Sequence, residues 1–327
     1  MIKHSLDLEQ LFYSYDKYPN IKFAKELSIT PYIFNSCSAK CSFCSERTQR
    51  MGITFNKNFY TTSPHYSNQL YNVLKDFKEH HITLSLSGME PSESINFLQQ
   101  ILRSIQEFKK NYNSIHQIVM YTNLSGVVNN KTEIQQFIQE IGLNKIEVSR
   151  HHYDEEINQQ ITRFKLQKQI KKNTVFEQSR QSILPFTNVK LVCVLQKAGI
   201  NSLTEIIKYL EWGIVNNIKD FTFRALAILT NQHKTNKTTQ YIQKNYISIQ
   251  SFISEIENDP NFKINSTTKG YYYTSIQYIY KGVYTVTLEA SDYNLMLQKH
   301  DSNSLQKLIL YPNGTLCKDW NTFQKLK

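Results

Sequence analysis

The chain has 327 residues, 40% hydrophobic and 20% charged, enough for one large α/β core or such a core with a smaller appendage. No apolar run nears the roughly 18 residues a membrane span needs, and polar residues break the start from Met1 to Tyr13, so a cytoplasmic protein without a membrane partner is expected. The formal charge of +11 favours anionic partners, but the lysines are spread without a dense basic block and nucleic acid is not expected.

In chain order, strand-like apolar runs fall at 33–34, 82–86, 117–121, 145–148, 189–195 and 220–223. Helical patterns alternate with them at 67–80, 93–112, 131–141, 154–171 and 202–216, the last with Leu203, Ile206, Ile207 and Leu210 on one face. Such alternation implies right-handed βαβ units and a parallel sheet. Six units fit residues 30–227, too few for a closed eight-fold barrel but enough for an open, curved one. Beyond 228, residues 231–244 read as a polar connector, 246–256 as a helix and 259–260 as a turn. Strands are expected at 271–280, 282–289 and 308–311. The expected organisation is an N-terminal segment (1–29), a barrel (30–227) and an α+β extension (228–327) that closes a substrate pocket over it.

Five cysteines, an odd number without an export signal, point to metal or redox chemistry rather than a disulfide framework. Three of them sit in Asn35-Ser36-Cys37-Ser38-Ala39-Lys40-Cys41-Ser42-Phe43-Cys44. Thiolates at these spacings on one short loop suit three irons of a cubane cluster, leaving the fourth without a protein ligand. A structural zinc site is the competing reading, but it normally needs a second Cys or His pair, and the nearest other cysteine is Cys193. Cys193, in mid-strand, and the lone Cys317 read as structural thiols.

With Phe43 before its last cysteine, this motif resembles the CxxxCxφC signature of the radical S-adenosylmethionine (radical SAM) superfamily. The resemblance implies a partial (β/α)6 barrel with the cluster loop after its first strand. It implies one 4Fe–4S cluster on Cys37, Cys41 and Cys44, whose unique iron chelates the methionine moiety of S-adenosylmethionine. An electron from a donor such as flavodoxin or ferredoxin then splits the cosubstrate, and the 5′-deoxyadenosyl radical takes a hydrogen atom from the substrate. Ser87-Gly88-Met89-Glu90-Pro91 looks like the family's GGE segment, with Met89 replacing the second glycine, and Thr122-Asn123 resembles its TN segment. Ser149 and Arg150 stand where the family places groups on the ribose hydroxyls and the carboxylate. Arg163, Gln196 and Arg224 complete the expected cosubstrate set.

Several of these positions have a plain structural alternative. Arg224 is read either as an anchor for an anionic substrate or cosubstrate carboxylate, or as half of a structural ion pair. His151 and His152 are read as proton-transfer groups or structural hydrogen-bonders, and Asn158 and Arg163 as a solvated helix face. The two remaining cysteines are too few for a second all-cysteine cubane, so a single-cluster enzyme is expected. The leading substrate is a small polar metabolite or nucleotide-like molecule. The runner-up is a ribosomal peptide precursor docked along a strand edge such as 271–280, and a non-catalytic iron–sulfur or zinc-binding regulator stands behind both.

Overall fold

The helices form where apolar residues recur at helical spacing. Tyr66–Asp76 (α1) buries Tyr66, Leu70, Val73 and Leu74, and Ile95–Lys109 (α2) buries Phe97, Leu98, Ile101, Leu102, Ile105 and Phe108. Lys131–Ile141 (α3) buries Ile134, Phe137, Ile138 and Ile141. These stripes share one core with the outward residues of the strands, among them Ile29, Leu84, Met120, Ile146, Leu191 and Phe223. The computed structural model describes residues 5–6, 12–34, 37–44, 46, 57–228, 235–270, 272–318 and 325–326. No helix among them is long and apolar enough to cross a membrane.

The strands are Ser5–Leu6 (β1), Phe12–Tyr15 (β2), Tyr18–Ile33 (β3), His81–Gly88 (β4), Ile115–Thr122 (β5), Lys145–Ser149 (β6), Asn188–Leu195 (β7) and Asp220–Ala225 (β8). Five more follow: Phe262–Lys269 (β9), Tyr273–Tyr280 (β10), Tyr284–Ser291 (β11), Ser304–Leu310 (β12) and Leu316–Cys317 (β13). Strands β3 to β8 pair in sequence order, all parallel, as the open six-stranded barrel requires. The remaining strands extend the same sheet at both edges. Strand β11 runs parallel to β8, and β12 parallel to β3. The inner face is polar: Lys190 pairs with Asp220, and Arg224 with Glu147 and Glu289, across neighbouring strands. Alternation puts apolar side chains outward against the helices and these charged ones inward.

Several elements depart from the sequence expectation. The first barrel strand extends back to Tyr18, well before 33. The 154–171 pattern is not one helix: Glu155–Thr162 (α4) stops at Arg163, which takes a left-handed φ of 49°, and a short 3-10 turn follows at Gln169–Lys171. Helix Asn173–Ile183 (α5) was not expected, because its buried stripe of Phe176, Ser179, Arg180 and Ile183 is half polar. Leu203–Val215 (α6) matches its pattern, with Ser202 accepting from the Glu205 amide at its start.

Two short helices replace the expected connector and single helix, Lys237–Asn245 (α7) and Gln250–Asn258 (α8). Helix α7 starts in a polar segment because Asn236 and Thr239 form a capping box. A further helix, Tyr293–Asp301 (α9), follows β11. Strand β10 is paired on one side by β9 and on the other by β11, so the 271–280 edge expected to dock a peptide is occupied by this chain's own strands. Asn35, Ser36, residues 229–234 and Tyr271 lie outside the described residues.

Loss of the capping box tests the helical state of 237–245. Asn236→Ala is expected to destabilise the fold by roughly 0.5–2 kcal/mol, read as a lower denaturant midpoint at unchanged slope. An unchanged midpoint would return this segment to an irregular connector.

Candidate functional site

Strand β3 ends at Ile33, and the cysteine loop follows at the carboxyl edge of the sheet, where α/β folds collect ligands. Cys37, Cys41 and Cys44 are partly exposed and form no disulfide. The loop is held from one side by the end of α4. The Lys40 amide donates to the Thr162 carbonyl at 2.9 Å, and the Ser42 amide to the Ile161 carbonyl at 3.0 Å. The last carbonyls of a helix have no partner within it, so α4 stops where the loop can supply one. Arg163 caps that end, and its Nε donates to the Lys40 carbonyl at 2.9 Å.

Glu93 holds the loop from the other side. Its carboxylate accepts from the Ser38 amide at 3.1 Å and from the Ser38 hydroxyl. It also takes the Ser125 hydroxyl at 2.8 Å and Lys168 Nζ at 3.2 Å. Ser38, Glu93 and Lys168 were not singled out in the sequence. Their partners lie far apart along the chain, so no local pattern marks them.

The Ser87–Pro91 segment turns directly against the start of this loop. Ser87 pairs in register with Tyr32, and Gly88 with Ile33. Gly88 has a φ of +127°, and a Cβ there would stand 2.5 Å from the Ile33 carbonyl oxygen, so only glycine fits. The Met89 amide donates to that same carbonyl at 2.8 Å. Glu90 is buried, and its carboxylate accepts from Ser92 Oγ at 2.6 Å, the Ser92 amide at 3.1 Å, the Asn123 amide at 2.8 Å and the Thr122 hydroxyl. Burial pushes its pKa up, against the pull of these donors. Glu90 therefore locks the ends of β4 and β5 together. The Asn123 side-chain amide lies 3.7 Å from Cys37 Sγ, in position to donate to the sulfur.

Phe43 turns from the loop into an apolar patch of Val194, Leu226 and Ile242, with its ring edge-on to His151 at 4.8 Å. His151 is buried; its amide donates to Asn158 Oδ1, and its Nδ1 accepts from the Val194 amide at 3.2 Å. That acceptor role places the ring proton on Nε2. Burial, then the charges of Arg150 and Arg224, pull its pKa down to about 3, so it is neutral. Asn158 is fully buried and not on a solvated face. Gln196 is buried and accepts from the Tyr241 hydroxyl at 2.7 Å. Ser149 closes β6, half-buried, in register with Val192.

Two arginines are engaged elsewhere. Arg150 is buried on the outer side of the sheet: its guanidinium donates to the Lys171 carbonyl at 3.3 Å and to Asn173, 4.8 Å over the Phe176 ring. It does not face the cysteine loop, because residue 150 falls on the helix-packed face, one step after the inward Ser149. His152 turns outward too, accepting from the Asp154 amide and standing 3.6 Å from Glu205. Arg224 faces the lumen but is already matched: its Nε donates to Glu289 Oε1 at 2.8 Å and Nη2 to Oε2 at 3.2 Å, with Glu147 at 3.5 Å. This is the ion-pair alternative rather than an anion anchor waiting for a ligand.

Three free thiols on one loop are the kind of donors that the irons of a cubane take. Burial, then Glu90, pushes the Cys37 thiol up to about 12, so the sulfur needs a bound cation to become a thiolate. No group of three His, Cys, Asp or Glu among the described residues is placed to hold one metal ion. In a cubane each thiolate takes a different iron. Ser87–Glu90 and Thr122–Asn123 meet the loop through Ile33 and Cys37, Ser149 ends the following strand, and Phe43 of the loop stands against His151.

No family model matches the sequence, and no curated protein does. Solved structures match by shape. Streptococcus suis SuiB, bound to S-adenosylmethionine, is similar over 90% of this chain and 60% of its own, at 13% identity and a TM-score of 0.50. anSMEcpe, with bound AdoMet and the Cp18Cys peptide, matches 60% of this chain and 50% of its own, at 15% identity and a TM-score of 0.45. The FeFe-hydrogenase maturase HydG from Carboxydothermus hydrogenoformans matches 67% and 50%, at 12% identity and a TM-score of 0.41. The chain spans 50–60% of the length of these proteins. The likeness to SuiB shows the fold, the partial barrel of the radical SAM enzymes.

Two outcomes follow from the placements of Arg150 and His151. Arg150→Lys is expected to lose about 1–3 kcal/mol of stability, as buried carbonyl partners go unmet, read as a lower denaturant midpoint; an unchanged midpoint would mean that these bonds do not hold the outer face. The His151 pKa is depressed from 6.5, so the stability it contributes is present above pH 6.5 and is lost as pH falls towards about 3. His151→Gln, which takes no proton, is expected to flatten the acid limb of the denaturation midpoint. Equal slopes in both proteins would mean that His151 is not held neutral.

Proposed function

We propose that the chain is a radical S-adenosylmethionine enzyme with one 4Fe–4S cluster on Cys37, Cys41 and Cys44, acting on a small polar molecule held in the barrel lumen. The observation that carries this reading is the turn Gly88–Met89–Glu90, which closes on the backbone that leads into a loop of three thiols. When bound, such a cluster supplies the electron that splits S-adenosylmethionine into methionine and a 5′-deoxyadenosyl radical.

The chain's own residues do the rest. Glu93 and the end of α4 fix the loop from two sides, so that the three sulfurs keep their spacing. Asn123 donates to Cys37 Sγ, and hydrogen bonds to ligand sulfurs raise a cluster's potential. The main chain of the Ser87–Glu90 turn, locked by Glu90, borders the place of the methionine moiety. Ser149 offers a hydroxyl at the end of β6, and Gln196 and Arg163 stand further round the rim. Phe43 and His151 give the adenosyl group an apolar wall with one fixed N–H donor. The extension, through β11 and β12 at the two sheet edges, walls the lumen and keeps water from the radical. A low-potential donor such as flavodoxin or ferredoxin supplies the electron.

The test is anaerobic reconstitution with iron and sulfide, followed by dithionite and S-adenosylmethionine. The expected product is 5′-deoxyadenosine, detected by mass spectrometry and abolished by alanine at Cys37, Cys41 or Cys44. A protein that takes up stoichiometric zinc instead and forms no 5′-deoxyadenosine would be a metal-binding regulator.

A further inference from the structure

The barrel lumen under the cysteine loop carries charge and phenol beside the aliphatic Val119, Val192 and Val194. Arg224 on β8 lies deep in the protein, yet 31% of its side chain remains open, so the space around it is a cavity and not a packed core. Glu289 meets two of its nitrogens, at 2.8 and 3.2 Å, a fork that matches the guanidinium's charge. Glu147 on β6 is then a second carboxylate for one arginine. Its single hydrogen bond, to Nη2, is 3.5 Å long, and its other oxygen has no partner among the described residues.

Tyr32 on β3 donates to Glu46, just after Cys44, and both Glu46 and Lys307 of β12 act on the Tyr293 phenol. Glu46 and Lys307 are of opposite sign there, so among the described residues the local asymmetry is that of two carboxylates, Glu147 and Glu289, on the one Arg224. Lower in the barrel Lys190 and Asp220 cancel at 3.4 Å, and Lys145 begins its strand at the opposite mouth. Three tyrosines complete the wall. Tyr121 faces Glu147 and Arg224, while the Tyr272 and Tyr293 rings stack at 6.0 Å. Burial keeps all three phenols neutral.

We infer that the substrate carries a cationic group, an ammonium or guanidinium, which binds at Glu147 among Tyr121, Tyr272 and Tyr293. The inference rests on reading the chain as a radical SAM enzyme whose substrate enters the lumen. A partly buried carboxylate with one oxygen unmet gains from a cationic group, which tyrosine faces also attract. A phosphate or carboxylate there would meet an arginine already forked to Glu289 and a carboxylate beside it. Glu147 stands on β6 two residues before Ser149, the carboxyl end of that strand, so an amine bound there lies towards the mouth that carries the cysteine loop.

Two probes of equal length and opposite charge separate the possibilities: pentylamine and pentanoate, titrated against the reconstituted protein with S-adenosylmethionine. Pentylamine is expected to bind at least about tenfold more tightly than pentanoate. Glu147→Gln should remove about tenfold of that affinity, while Glu147→Asp, which keeps the charge, should retain most of it. Thermal melts of both variants confirm that they fold. Equal or tighter binding of pentanoate, no binding of either probe, or amine affinity untouched in Glu147→Gln would each overturn the inference. Formation of 5′-deoxyadenosine in the same preparations reports separately on the radical reading. Amine binding through Glu147 in a protein that forms none would sink that reading and leave this site standing.

Discussion

The cysteine loop has no secondary structure of its own, so its shape depends on what its backbone can bond to. Those partners are the last carbonyls of α4 and the carboxylate of Glu93, on opposite sides of the loop. A helix end offers unmet acceptors, and a loop offers unmet donors; each satisfies the other. The same economy governs the next turn. Glu90, buried and surrounded by four donors, ties the end of β4 to the end of β5, which in turn brings Asn123 to Cys37. Three successive strand ends are thereby fixed around one small space.

Below that space the barrel inverts the usual arrangement of a small β-barrel. Its outward residues are aliphatic and aromatic and pack on the helices, while its inward ones are mostly polar or phenolic, with Val119, Val192 and Val194 among them. Arg224 joins Glu147 and Glu289 across β6, β8 and β11, and it leaves Glu147 the less fully paired of the two. Strand β11 belongs to the last hundred residues, so the C-terminal region contributes a charged wall to the lumen.

Much of this was legible in the sequence where periodicity was strong. Helix Lys131–Ile141 and the parallel strands β4 to β8 stand within a few residues of where the apolar pattern put them. The misses share a cause. Helix α5 hides because Arg180 sits in its buried stripe, bonded to Glu177 and the Asn216 carbonyl, and helix α4 ends early because its last carbonyls serve the cysteine loop. Tertiary partners overrode local pattern in both. Glu147 and Glu289 were overlooked, although the alternation in Lys145-Ile146-Glu147-Val148-Ser149 already marked one face of the strand as polar. Arg150 misled because a single step along a strand changes the face.

The central claim is that the three thiols leave one iron of a cubane open to S-adenosylmethionine. Electron paramagnetic resonance of the reduced, reconstituted protein tests it directly. The account predicts a single 4Fe–4S signal whose g values shift when S-adenosylmethionine is added, and which is lost when any one of Cys37, Cys41 or Cys44 becomes alanine. A signal that ignores S-adenosylmethionine, or that survives loss of one of these cysteines, would contradict it.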